Sequence, residues 1–248
     1  YGALTGFALP LLMLPSFITN SLSTALVPAI SEAHSKNNMR LIEYRLQQAL
    51  RLTFLTGGLA VVVLYVLSDG LMEVMYGSAS GAPFIKLMAP FFIFYYFQQP
   101  LQAALQALNL ARAAMINSLI GAIVKTAVIF LLASQPSFGI NGVALGIMVG
   151  FVLVTLLHLS TVLKKISFTF YIREYIKTFF VMGVSGWIGI FLLKNISQGV
   201  HLAFQVLLIA AAISIVYFFL TLVLGLVRKD EIIRIPWIGK PLSKLSFR

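Results

Sequence analysis

Cysteine is absent from the 248 residues, which excludes disulfides, thiolate metal sites and cysteine nucleophiles. Charge is scarce: 10% of residues are Asp, Glu, Lys or Arg, and only seven of them are acidic. A soluble domain carries about 25% charged and roughly 45–50% apolar residues. Here the hydrophobic share is 60% and the mean hydropathy +0.97. There are too few charges to cover a surface and too much apolar matter to solvate, which excludes a soluble enzyme, a disordered tail and a nucleic-acid-binding module. The three histidines, His34, His158 and His201, are dispersed without metal-ligand spacing and read as packing or surface residues. No G-x-x-x-x-G-K-[ST] stretch, nucleophile–base pair or cofactor motif is visible. Asp69 and Glu73 lie four apart at a helix end and read as a solvated face, not as a general acid and base. No basic stretch and cleavage site precede the first apolar run, and a start at Tyr1 reads as part of a longer protein.

Long apolar runs are what the sequence does have. A helix needs about 20 apolar residues to cross the hydrocarbon core. Seven runs qualify, at roughly 3–29, 52–68, 84–107, 114–134, 139–163, 178–194 and 201–227. They are too long and too little alternating for strands. The expected fold is an all-α integral membrane protein with seven transmembrane helices. The runs 52–68 and 178–194 are short, and each can borrow a turn from the amphipathic stretch before it.

The gaps between runs carry the topology. Alternate gaps hold Lys36, Arg40, Arg45 and Arg51; then Arg112; then Lys164, Lys165, Arg173 and Lys177; and the tail holds Arg228, Lys229, Arg234, Lys240, Lys244 and Arg248. The intervening gaps hold only Lys194, so fifteen basic residues face one. Basic loops stay cytoplasmic, so the chain is expected to start outside and end inside a plasma membrane. The net charge of +11 is thereby read as orientation and not as nucleic-acid binding. Residues 38–51 and the tail 228–248 mix apolar residues with cations and read as interfacial segments attracted to membrane lipids.

Polar groups at membrane depth are expensive, so they are the candidates for function. The first run is interrupted by Pro10 and Pro15 and carries Asn20 among hydroxyl residues; a kink there can line a cavity or bend between states. Gln98, Gln102 and Gln106 form one stripe on the third run, which must face protein or water. Lys125 sits near the middle of the fourth run, on one face with Asn117 and Gly121, and no acidic residue falls inside a run to pair with it. A buried cation without a protein anion invites a ligand anion. Carbonyls, water or a carboxylate elsewhere in a longer protein are the other ways to stabilise it. Lys86 lies near a run end and can snorkel. Gly142, Gly146 and Gly150 repeat every fourth residue, a face for close helix packing.

Three stretches carry a family resemblance. YGALTGFALPLLMLPSFITNSLSTALVPAISEA, ending in Pro28-Ala29-Ile30-Ser31-Glu32-Ala33, resembles the eighth helix of the multidrug/oligosaccharidyl-lipid/polysaccharide exporter superfamily. Tyr44 to Leu67, with RLTFL at Arg51 to Leu55, is similar to the loop and helix that follow. Gln98 to Lys125, with LNLARAAMINSLIGAIVK, resembles the stage V sporulation protein B branch, a relative of the lipid II flippases. The resemblance implies a MATE-like fold of two six-helix lobes with two further helices. In it the seven runs are helices eight to fourteen: 1–163 the second-lobe bundle, 164–227 two added helices, and 228–248 a basic cytoplasmic tail. The missing N-terminal lobe is then the partner that closes the cavity. It further implies flipping of a lipid-linked oligosaccharide or lipid II-like substrate by alternating access, with no enzyme activity and no cofactor. Lys125, Asn117, Gln98, Gln102, Gln106 and Asn20 are the expected substrate-facing residues. A cation-coupled multidrug or metabolite antiporter, a membrane-embedded transferase on lipid-linked sugars and a non-transporting scaffold are the alternatives.

Overall fold

The computed structural model describes residues 1–166, 168–169, 171–195 and 201–227. Every regular element among them is helical. The first apolar run does not make one straight helix. A π-helical segment, Ala3–Ala8, leads into α1 (Leu9–Met13), and the chain bends by 48° before α2 (Ser16–Ser35). The break falls at Leu14 and Pro15, where proline withholds a backbone donor. Asn37 then takes a left-handed turn at φ 53°, and the side chain of Asn38 accepts from the Leu41 amide at 3.1 Å to start α3 (Met39–Val66).

α4 (Ser68–Tyr76) and a 3-10 turn at Ala79–Gly81 lead to α5 (Ala82–Ala107). Asn109, at φ 61°, closes that helix, with the Leu110 amide returning to the Leu105 carbonyl at 2.8 Å. α6 (Ala111–Ala133) and α7 (Gly139–Lys165) follow as an antiparallel pair. The chain divides into two compact units, Tyr1–Phe170 and Tyr171–Arg248. The second contains α8 (Ile172–Asn195) and α9 (Leu202–Val223), packed on each other as a hairpin. There the Lys177 ammonium donates to the Leu224 carbonyl at 2.8 Å, placing a cation at the negative end of α9.

In the first unit α5 is central, with α2, α3, α6 and α7 all packed against it. One apolar core joins the end of α2 (Leu26, Ile30), the start of α3 (Ile42, Leu46) and the end of α5 (Leu101, Leu105). This corrects the reading of residues 38–51 as an interfacial segment: the stretch is the first part of α3, and its apolar face is taken up by protein. The tail 228–248, the other interfacial expectation, lies outside the described residues.

Among the described residues, five helices are long and apolar enough to cross a membrane: α3, α6, α7, α8 and α9. The bent pair of Ala3–Met13 and Ser16–Ser35 makes six if it is one span. The sequence expectation of seven thus narrows at the third run. α5 is 26 residues long, but Lys86, two internal prolines and a run of glutamines leave it without a continuous stretch of that apolarity. Its burial within the bundle fits that composition.

α6 and α7 meet through glycine. A Cβ on Gly142 would come within 2.7 Å of the Ala133 nitrogen and the Leu132 carbonyl carbon. On Gly146 it would meet Ile129, and on Gly121 of α6 it would meet Val154. Close backbone approach supplies the packing that lipid cannot drive hydrophobically. Gly142→Ala is therefore expected to cost about 1–3 kcal/mol of stability, since backbone has to move. Gly183→Ala in α8 meets nothing within 4 Å and is expected to be neutral or slightly stabilising. Melting temperatures of the two variants in detergent check the contrast.

Candidate functional site

The repeat that forms the α6–α7 seam also positions its polar residues. Each step of four along α6 meets a step of four, in the opposite direction, along α7. Ile129 lies against Gly146, Lys125 against Gly150, Gly121 against Val154, and Asn117 against His158. Asn117 and Lys125 thus face α7, with Gly121 between them. The Lys125 stem folds over Gly150, whose Cβ, if present, would stand 3.0–3.1 Å from Lys125 Cβ, Cγ and Cδ. The side chain is half-buried, and among the described residues its ammonium makes no hydrogen bond or ion pair.

Asn117 is buried and engaged. Its Nδ2 donates to Thr161 Oγ1 at 2.9 Å and lies 3.3 Å from His158 Nδ1. The Thr161 hydroxyl proton is already committed to the Leu157 carbonyl at 2.8 Å, so the amide atom facing it has to be the donor. His158, which the sequence reading left among packing residues, is 1% exposed and belongs to this polar cluster. Its spacing from Thr161 on one helix face is visible in sequence; the asparagine opposite it is not.

α5 meets α7 one residue further on. Gln98 Nε2 donates to the Phe151 carbonyl at 3.1 Å, and Thr155 Oγ1 donates to the Phe94 carbonyl at 2.7 Å. Gln98 and Lys125 therefore converge on consecutive residues of α7, Phe151 and Gly150. The rest of the glutamine stripe does not join them. Gln102 is half-buried and Gln106 exposed, one and two turns further along α5. Asn20 is exposed on α2, while the buried face of that helix carries Thr19 and Ser23, whose hydroxyls bond back to their own helix.

Other polar residues did not announce themselves. Arg51, counted among the topology charges, is 5% exposed within α3. Glu43 Oε1 accepts from the Thr169 amide at 2.8 Å and from Gln47 Nε2 at 3.0 Å, and Gln47 donates to the Thr169 carbonyl at 2.8 Å. This clamp ties the start of α3 to the segment after α7. Lys86 pairs with Asp69 at 2.5 Å on an exposed surface, so Lys125 and Lys86 sit in unlike surroundings. No group of three metal-ligating side chains occurs among the described residues.

Comparison with known proteins places these residues in a family context. The family profile described as "Lipid II flippase MurJ" matches residues 3–194. Stage V sporulation protein B of Bacillus subtilis (strain 168) is 56% identical over 240 residues, covering 97% of this chain and 46% of that protein. Sporulation protein YkvU of the same organism is 30% identical over 167 residues, covering 67% of this chain and 38% of its own length. The chain thus spans less than half the length of these relatives. A solved structure, "Lipid II flippase MurJ, inward closed conformation", superposes with a TM-score of 0.69 at 18% identity, over 86% of this chain and 46% of its own. That likeness shows a shared fold.

If the Asn117–His158 contact is energetically real, a double-mutant cycle reads it. Asn117→Ala and His158→Ala should show a coupling energy of about 0.6 kcal/mol, up to about 1.7. Unfolding in mixed micelles measures it, and additive single effects would show the contact to be incidental.

Proposed function

Because the chain belongs to the lipid II flippase MurJ family, we propose that it forms part of a transporter moving a lipid-linked sugar pyrophosphate, such as a peptidoglycan precursor, across the cell membrane by alternating access. The observation that carries the reading is the family match over residues 3–194. The family's description as a lipid II flippase favours a lipid-linked cargo over a drug or metabolite. Moving such a headgroup needs no nucleotide. A pyrophosphate carries about two negative charges, and outward movement driven by an inside-negative potential gains about 2.3 kcal/mol per charge per 100 mV if the full field is crossed.

Within that reading Lys125 is the residue for the headgroup. It lies near the middle of the apolar helix α6, its stem is held by Gly150, and its ammonium is uncommitted among the described residues. Gln98 of α5 donates to the carbonyl of Phe151, the residue after Gly150 in α7, and Asn117 lies two turns along the same face of α6. Gln102, Gln106 and Asn20 remain accessible and would line the approach. The other wall of the cavity would come from the remainder of the longer protein. The basic side of the first unit, with Lys36, Arg40, Arg45, Arg112, Lys164 and Lys165, faces the cytoplasm in this scheme.

Two experiments test it, both in the full-length protein. In proteoliposomes, Lys125→Ala should lower the initial rate of precursor flipping at least tenfold at near-normal abundance, since the ligand anion would be desolvated without a counter-charge. Lys125→Arg keeps charge with altered hydrogen bonding and should retain part of the rate, and Lys125→Glu should be the most impaired. Undiminished flipping by abundant Lys125→Ala protein would remove the anion site. For orientation, cysteines at the exposed positions Ala79 and Ser35 are treated with an impermeant thiol reagent in intact cells. Ala79→Cys should react and Ser35→Cys should not; the reverse pattern inverts the topology.

A further inference from the structure

The 48° break in the first spanning segment leaves backbone groups in need of partners. Pro15 has no N–H, and the Leu14 amide turns back to the Pro10 and Leu11 carbonyls. The Met13 carbonyl takes the Ser16 hydroxyl at 2.6 Å. The Leu12 carbonyl takes the hydroxyl of Tyr96, from the middle of α5, at 2.7 Å. In an unbroken helix that same carbonyl would pair with the Ser16 amide, four residues on. The Tyr96 hydroxyl therefore substitutes for a bond that only a straight helix supplies.

The surroundings of Tyr96 serve this contact. Its side chain is 0% exposed. Its ring lies over Gly57 of α3, where a Cβ would come within 2.7 Å of Cδ2. Phe92, one turn earlier, meets it edge-on at 6.1 Å between centroids. Tyr96 also stands four residues before Pro100, the residue whose missing N–H leaves the Tyr96 carbonyl without its helical donor. A proline-interrupted helix is thus fastened to a second one at a single hydroxyl.

We propose that Tyr96 is a positioning residue for transport: by holding the Leu12 carbonyl it selects the bent over the straight form of the first spanning segment. The inference rests on the transporter reading for its role in the cycle, while the bend itself is a structural observable. Removing the hydroxyl leaves the Leu12 carbonyl unsatisfied only in the bent form. A hydrogen bond of this kind corresponds to about a tenfold change in the ratio of the two forms.

Tyr96→Phe tests this in the full-length protein in lipid nanodiscs. Spin labels go at Gly2, where a Cβ meets nothing within 4 Å, and at Tyr65, exposed at the end of α3. Straightening moves the far end of an arm of this length by roughly 15 Å, taking 1.5 Å of rise per residue, well within the range of a pulsed-resonance distance measurement. The expected result is an about tenfold rise in the displaced population relative to the bent one, with abundance and melting temperature near wild type and an altered initial rate of flipping. Gly57→Ala pushes the ring from its seat, should give the same displacement, and replaces Tyr96→Phe if that variant fails to accumulate. 4-Aminophenylalanine at position 96 restores a donor and should return the wild-type ratio. An unchanged distance ratio in Tyr96→Phe, or a changed flipping rate without a changed ratio, overturns the assignment. A shifted ratio in Tyr96→Phe, together with a wild-type protein that does not flip the precursor, leaves Tyr96 in control of the bend and removes the transporter reading instead.

Discussion

A backbone group at membrane depth has no water to fall back on, and the arrangement of the first unit follows from that constraint. The first apolar run is broken by proline, and the break is tolerable because α5 delivers the Tyr96 hydroxyl to the Leu12 carbonyl. α5 itself contains Pro90 and Pro100, and it sits in the centre of the bundle, where neighbouring helices can supply partners. Thr155 adds a polar link between helices, its hydroxyl reaching the Phe94 carbonyl of α5 while remaining close to its own Phe151 carbonyl. α6, which contains no proline, presents exposed Leu119, Ile123 and Phe130 outward.

Close packing between α6 and α7 has a second consequence. Glycine at every fourth position of α7 brings the backbones together, and the side chains of the facing α6 positions have to lie flat along the seam. For isoleucine that is ordinary packing. For Lys125 it means that the stem is immobilised on Gly150 while the charged end is carried past it. A lysine held in this manner loses little further side-chain freedom when it meets an anion, a form of preorganisation. The close approach also brings Asn117 within hydrogen-bonding range of His158 and Thr161, so the seam is tight and polar at one end and tight and apolar at the other.

The sequence showed which residues were expensive at membrane depth but not who faced them. The spacing of Asn117, Gly121 and Lys125 identified a narrow polar face; that α7 covers it, with His158 and Thr161 waiting opposite, depends on two segments some forty residues apart. The glutamine stripe was legible as a stripe, yet its three members have different surroundings because α7 passes only the Gln98 end. Asn20 stood out among the hydroxyl residues of the first run, and it is exposed on α2 because the buried face of that helix runs through Thr19 and Ser23. Tyr96 and Arg51 were missed for opposite reasons: a tyrosine in an aromatic run and an arginine in a basic stretch are each unremarkable until their burial is seen.

Composition and periodicity by themselves determined that this is a helical chain built for a membrane, since few charges and long apolar runs leave no other stable arrangement. The glycine repeat likewise marked a face for close helix approach, because a missing Cβ is a property of the residue. What only the tertiary structure decided is how polar and broken segments are paired: which hydroxyl meets the Leu12 carbonyl, which helix covers Asn117, and that the proline- and glutamine-bearing α5 lies at the centre. Pairing is a relation between segments distant along the chain. Local pattern fixes the direction in which a side chain leaves its helix, and only the packed bundle fixes what it meets there.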